Sequence, residues 1–110
     1  MPLGRVAHAR SGDKGGDANL GLWAIDAGAR PDRVRWLLAT ITPDVIRRLV
    51  PEAATLDIEV HALANLGGVN VVLHGLLGDG VGASSRFDPL AKALGEWVRS
   101  RYVDVPEELL

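Results

Sequence analysis

The sequence contains no cysteine among its 110 residues. Disulfides, thiolate zinc sites and cysteine nucleophiles are therefore excluded, and composition leaves the redox compartment undetermined. Lysine is nearly as scarce: ten of the 12 basic side chains are arginine, and only Lys14 and Lys92 are lysine. Aromatic residues reach 5%, with one Tyr and one Phe beside three Trp. An RNA-binding sheet of the RRM type needs aromatic side chains on its central strands and a basic face. This chain offers neither. Its 12 basic residues stand against 14 acidic ones, a formal charge of −2 with a pI near 5.8, so bulk electrostatics do not suggest nucleic acid. Long apolar runs are missing as well. The longest, around Val69 to Leu77, is interrupted by Asn70, His74 and Gly75 and is too short to span a bilayer. The first residues lack the apolar core of a signal peptide. The expectation is a cytoplasmic protein with no nucleic-acid partner and no membrane.

What remains is an ordinary globular composition, 47% apolar and 24% charged. A chain of this length buries roughly two-thirds of its unfolded surface, enough for one core. Residues 1–110 are read as a single domain without internal repeats.

Local patterns divide the chain into short elements. Val6 to Arg10 reads as a strand, and Leu20 to Ile25 as a second one, apolar on both faces like a central strand. The polar, glycine-rich residues Ser11 to Asn19 between them read as a loop. After a turn at Gly28–Pro31, Val34, Leu37, Leu38 and Ile41 follow helical spacing. Thr42 then caps a short second helix with Pro43 at its first position, and Pro51 ends it. Leu56 to Ala62 alternates as a strand with one wet face. Asn65 to Gly68 reads as a turn. Val69 to His74 reads as the returning strand on its β-branched content, although Val69, Val72, Leu73 and Leu76 also fit a helix. A second glycine-rich loop, Gly78 to Arg86, precedes a helix capped by Asp88 with Pro89 at its start and a stripe of Leu90, Ala93, Leu94, Trp97 and Val98. Val103 to Val105 suggests a last strand before a polar tail. Without its first strand this order is βαββαβ, so the fold expected is α+β. It is a ferredoxin-like sandwich with an extra N-terminal strand, the helices lying on one face of an antiparallel sheet.

In such a sheet the two glycine-rich loops meet at one edge. They would gather Asp13, Lys14, Asp17 and Asn19 with Asp79, Ser84, Ser85, Arg86 and Asp88. That set suits an anion held by Lys14, Arg86 and backbone N–H groups, or a divalent cation on Asp13, Asp17 and Asp79. It equally suits solvated turns in which Asp and Gly satisfy backbone geometry. Neither loop carries a phosphate-binding fingerprint. His8, His61 and His74 have no metal-ligand spacing, so solvated or hydrogen-bonded roles are expected of them. Ser84 and Ser85 lack a nucleophile-elbow pattern. Trp23, Trp36 and Trp97 lie on apolar runs and read as core.

Read with their flanks, the loops resemble a known family. Ala9-Arg10-Ser11-Gly12-Asp13-Lys14-Gly15, continuing to Asn19 and Gly21, is similar to the opening of the ferredoxin-fold domain at the C-terminus of AtuA-type acyclic terpene utilisation proteins. Downstream, Leu63-Ala64-Asn65-Leu66, Val69 to Gly75, the turn Leu77-Gly78-Asp79-Gly80 and the spaced Ser84, Arg86, Asp88 and Lys92 match the same pattern in order. Departures are Gly16 where the family has Asp, Ala64 for its Pro, Val71 for its Phe and Ala91 for a Gly. The resemblance implies a role in breaking down branched acyclic compounds, terpenols and leucine-derived acids, as coenzyme A thioesters; the family pattern assigns no reaction, and a hydratase or lyase step is the first hypothesis. The resemblance implies a partner too, because this domain is usually attached to a much larger one. A separately encoded large AtuA-type subunit or self-association is expected, with a small carboxylate or acyl-CoA as ligand. An alternative is a non-catalytic ligand-binding or dimerisation module. The candidate ligand-binding residues are Ser11, Gly12, Asp13, Lys14, Gly15, Asn19, Gly78, Gly80, Ser84 and Arg86. Asp13 and Lys14 are the catalytic candidates. No metal is assigned, and no cofactor is named.

Overall fold

The computed structural model describes residues 1–76 and 93–110. Four strands form one antiparallel sheet: β1 (Ala7–Lys14), β2 (Asp17–Ala24), β3 (Ile58–Leu63) and β4 (Gly68–Leu73), in the order β1-β2-β4-β3. Helices α1 (Pro31–Thr40) and α2 (Pro43–Leu49) join β2 to β3. A third helix, α3, covers residues 93–100. The α+β architecture is the one expected, and α1 packs on β2 and β4 while α2 packs on β3.

The strand sequence sets the two faces. Along β2, Ala18, Leu20, Leu22 and Ala24 are buried, and the residues between them are only half-buried. Val69, Val71 and Leu73 of β4 continue the buried row through the ladder pairs Leu22↔Val69, Leu20↔Val71 and Ala18↔Leu73. Ile46 and Leu49 of α2, Leu37 of α1 and Leu94 and Val98 of α3 close over this row in one hydrophobic cluster. Thr42 caps α2 as expected, its hydroxyl accepting from the Val45 N–H at 3.2 Å, and Pro43 opens the helix.

Three expectations are corrected. First, Ser11 to Asn19 is not a loop. β1 runs through Lys14 and β2 resumes at Asp17, leaving a two-residue turn of Gly15 and Gly16. Gly15 sits at φ +64°, the left-handed region that tight hairpin turns require and that glycine adopts without strain. Second, Val103 to Val105 is not a sheet strand. The slot beside β2 that a final ferredoxin-like strand would fill is already occupied by β1. Tyr102 instead makes an isolated bridge to Pro2, with Val103 and Met1 exchanging backbone hydrogen bonds. The tail beyond it is anchored rather than loose, because Leu109 is buried. Third, Trp23 and Trp97 are not core. Trp23 stands half-buried on the open sheet face, 5.6 Å from the His8 ring. Trp97 is 44% exposed, with the Arg101 guanidinium stacked 4.8 Å above its ring.

Asp88, Pro89 and Leu90, expected to cap and open the last helix, lie outside the described residues. One side chain escapes any pattern in the sequence. Arg33 is buried in α1 and donates to the carbonyl oxygens of Leu109 (2.7 Å), Ile25 (3.1 Å) and Leu110 (3.2 Å). It ties the C-terminal turn to the core.

Candidate functional site

The N-terminal glycine-rich motif is a hairpin, and strand alternation deals its residues to two sides. Ser11 and Asp13 pair with Leu20 and Ala18, whose side chains are buried under the helices. The Ser11 hydroxyl accepts from the Gly95 N–H of α3 at 2.8 Å, tying β1 to that helix. Arg10 and Gly12 pair with Gly21 and Asn19, positions of the opposite, open face. Lys14 pairs with Asp17 across the end of the hairpin. Gly78, Gly80, Ser84 and Arg86, with Asp79, Ser85 and Asp88, lie outside the described residues. The start of β2 does lie beside the end of β4, since Ala18 pairs with Leu73.

That juxtaposition builds a chain of ionisable groups. Both oxygens of the Asp17 carboxylate accept, one from the Gly75 N–H at 2.8 Å and the other from His74 Nδ1 at 3.1 Å. The other ring nitrogen of His74 meets Glu59, whose second oxygen lies 3.2 Å from His61 Nε2. With a carboxylate at each nitrogen, the doubly protonated imidazolium donates both ways. The Glu59 and Asp17 hydrogen bonds accordingly raise the His74 pKa above its ordinary 6.5. The Gly75 N–H, then His74, hold Asp17 below the usual carboxylate value, and His74 does the same for Glu59. The two carboxylates thus widen the pH range over which His74 is cationic, and in that form it is a hydrogen-bond or proton donor. Among the described residues, no group of three or more His, Asp or Glu could hold a metal ion.

Beside this chain the open face is hollowed. A depression of about 330 Å³ is lined by Arg10, Ser11, Gly12 and Asp13 of β1, Asn19, Gly21 and Trp23 of β2 and Asn70 of β4. A second, of about 270 Å³, adjoins it through Gly21, Trp23 and Asn70 and extends to Leu63 and Leu66. The hollow exists because Gly12 and Gly21 place no side chain on the middle of the sheet. Glycine inside a strand weakens it and often marks a site of close approach. A Cβ on Gly12 would meet no atom within 4 Å, so the fold does not require glycine for space there. Gly68 differs: its Cβ would lie 2.0 Å from the Leu22 carbonyl oxygen, so there the close crossing itself demands glycine. Within the hollow, Asn19 Oδ1 is shielded from solvent and has no hydrogen-bond partner.

Of the candidates named from the sequence, the structure therefore brings Gly12 and Asn19 to the open face and Ser11 to the helix side. Arg10, Trp23, Glu59, His61, Asn70 and His74 join them without having been singled out as site residues. The signal that would have found them is the Gly15–Gly16 pair read as a two-residue hairpin turn, which fixes the register and aligns Asp17 with the end of β4.

Comparison with known proteins decides the family. The family model for the AtuA ferredoxin-like domain matches residues 1–104. The chain belongs to that family. No curated protein and no solved structure matches it. For an AtuA ferredoxin-like domain, the matched span takes in the hairpin, the open-face hollow and the His74 bridge together. Among the described residues no helix is long and apolar enough to cross a membrane.

Proposed function

We propose that this AtuA-type domain is the small, accessory subunit of a cytoplasmic system acting on branched acyclic acyl-CoA compounds in terpene- or leucine-type catabolism. The reaction is a hydratase or lyase step completed with a separately encoded large AtuA-type chain. The family match across residues 1–104 is the observation that carries this reading. A patch suited to a protein partner supports it: Trp97, Arg101 and Tyr102 cluster at the end of α3, with Tyr102 75% exposed. Trp, Tyr and Arg are the residue types that dominate binding energy at protein interfaces. Lys14 and Asp13 remain the catalytic candidates, at the hairpin tip.

The test is recovery of the tagged protein from its native host. A co-purifying large AtuA-type chain is expected, and the reconstituted complex should convert branched acyl-CoA esters. Lys14→Ala and Asp13→Ala should each abolish that activity while leaving the melting temperature nearly unchanged. Recovery of the protein alone, as a monomer, would reject the subunit role. Loss of folding in both variants would reject the catalytic one.

A further inference from the structure

The open face of the sheet contains three features that folding does not explain. Arg10 is exposed and its side chain has no ion pair or hydrogen-bond partner among the described residues, as is also true of Arg5, Arg35 and Arg48, but of these four only Arg10 lines the hollow. Asn19 holds an acceptor oxygen away from water with nothing donating to it, an arrangement that costs free energy unless an occupant supplies the proton. Gly12 and Gly21 leave the floor between them empty, although the Gly21 Cβ would meet its nearest atoms only at 3.7 and 3.9 Å. Strands of β-branched and aromatic residues are the more stable choice where a Cβ is tolerated, so this floor is kept low at some cost to the sheet.

The walls differ in chemistry along two neighbouring rows. In one, Arg10 of β1, Gly21 of β2 and Asn70 of β4 lie side by side, with the orphan acceptor of Asn19 next to them. In the other, Trp23 of β2 leads across Gly68 to Leu63 of β3, with Leu66 beyond it 71% exposed. Crossing from β1 to β3 covers three inter-strand spacings, about 14 Å.

We infer that this groove binds an aliphatic hydroxy acid. Its carboxylate pairs with Arg10, its hydroxyl donates to Asn19 Oδ1, and its hydrocarbon chain lies over Gly21 along Trp23 towards Leu63 and Leu66. A single guanidinium matches a monoanion. A buried acceptor rejects an occupant that cannot donate, because that occupant leaves the oxygen unpaired. The inference deepens the ligand-binding part of the function proposed above and rests on that part alone, since neither the large subunit nor coenzyme A enters it.

Amide-resolved NMR titration of the isolated chain tests it, with 3-hydroxyoctanoate as the probe and octanoate, 3-hydroxybutyrate and octanol as comparisons. Saturable shifts at Gly12, Asn19, Gly21 and the Trp23 indole are expected with 3-hydroxyoctanoate. Octanoate and 3-hydroxybutyrate should each bind at least about tenfold more weakly, the first for want of a donor and the second for want of chain. Octanol should not saturate. Arg10→Gln and Gly21→Ala should each weaken the hydroxy acid by at least about tenfold, with melting temperatures at or above that of the parent. Equal binding of octanoate and its hydroxy analogue would overturn the role of Asn19. Undiminished binding by either variant, or no saturable shift at millimolar acid, would overturn the site. A protein that binds the acid yet recruits no large chain would reject the subunit reading and leave this one standing.

Discussion

On the helix-covered face of the sheet, Leu20, Leu22, Val71 and Leu73 are almost wholly excluded from solvent. One step along the same strands, Asn19, Gly21, Asn70 and Val72 form the middle of the open face, flanked by Arg10, Glu59 and His61. The covered positions are explained by packing alone: each is an aliphatic side chain in a shared cluster. The open positions have no such explanation. Glycine at the centre of strands and a carboxamide oxygen without a partner both weaken a sheet. The face proposed to bind a ligand is the one that stability did not choose.

The sharpest way to break that contrast is to truncate matched positions. Leu22→Ala on the covered face should cost about 3 kcal/mol by loss of burial and creation of a cavity. Asn70→Ala, next on the neighbouring strand but open, should change stability by no more than about 0.5 kcal/mol. Urea denaturation of the two variants decides it, and comparable losses would erase the distinction between the faces.

A smaller effect is expected where the covered side departs from its own rule. Arg33→Met keeps apolar bulk but removes the donors to the carbonyl oxygens of Ile25, Leu109 and Leu110. Stability should fall by about 2 kcal/mol, and hydrogen exchange should quicken in the C-terminal turn before the sheet. Unaltered protection there would mean that the tail is held by Leu109 alone.

The smallest effect belongs to the open face. His74 has a raised pKa, so its contribution to stability is complete below its ordinary 6.5 and is lost as pH rises through the raised value. Asp17 and Glu59 have lowered values, so theirs is complete above 3.8 and 4.5 and is lost as pH falls through the lowered ones. Melting temperature should therefore be flat between about pH 4.5 and 6.5 and decline on either side. His74→Gln should abolish the alkaline decline. An alkaline decline that survives the substitution would assign it to another group.

Much of this architecture could be read from side-chain pattern, and the reasons for the rest are physical. Leu20 to Ile25, the β-branched run of β4 and the Thr42–Pro43 cap were legible because each couples a strong local preference to a buried row. The hairpin was not. β1 alternates Ala7, Ala9, Ser11 and Asp13 with His8, Arg10, Gly12 and Lys14, a contrast in size more than in polarity. Its pairing is set by the turn and by β2 rather than by its own hydrophobicity. The last strand was misread because Val103 and Val105 have strand-like composition, while the vacancy they would fill depends on which segment reaches it first in space. The site was half legible. Motif letters gave Gly12 and Asn19, but Asn70, Glu59 and His74 join them only through a register that brings residues distant in sequence side by side. Arg33 was invisible for the complementary reason, since its partners are backbone oxygens that any sequence supplies.

The placement of β1 also bears on how the chain comes together. Had the segment after α3 closed the sheet, that edge would have waited for the whole polypeptide and carried the loop-closure cost of nearly its full length. Because β1 pairs with β2 across Gly15 and Gly16, the edge forms from adjacent sequence, on the microsecond scale of hairpins, as soon as the first strands exist. Lower contact order speeds folding. It also means that Arg10, Asn19, Gly21 and Trp23 of the groove are drawn from the first part of the chain to be made and assemble with their own scaffold, while Leu63, Leu66 and Asn70 arrive later with β3 and β4.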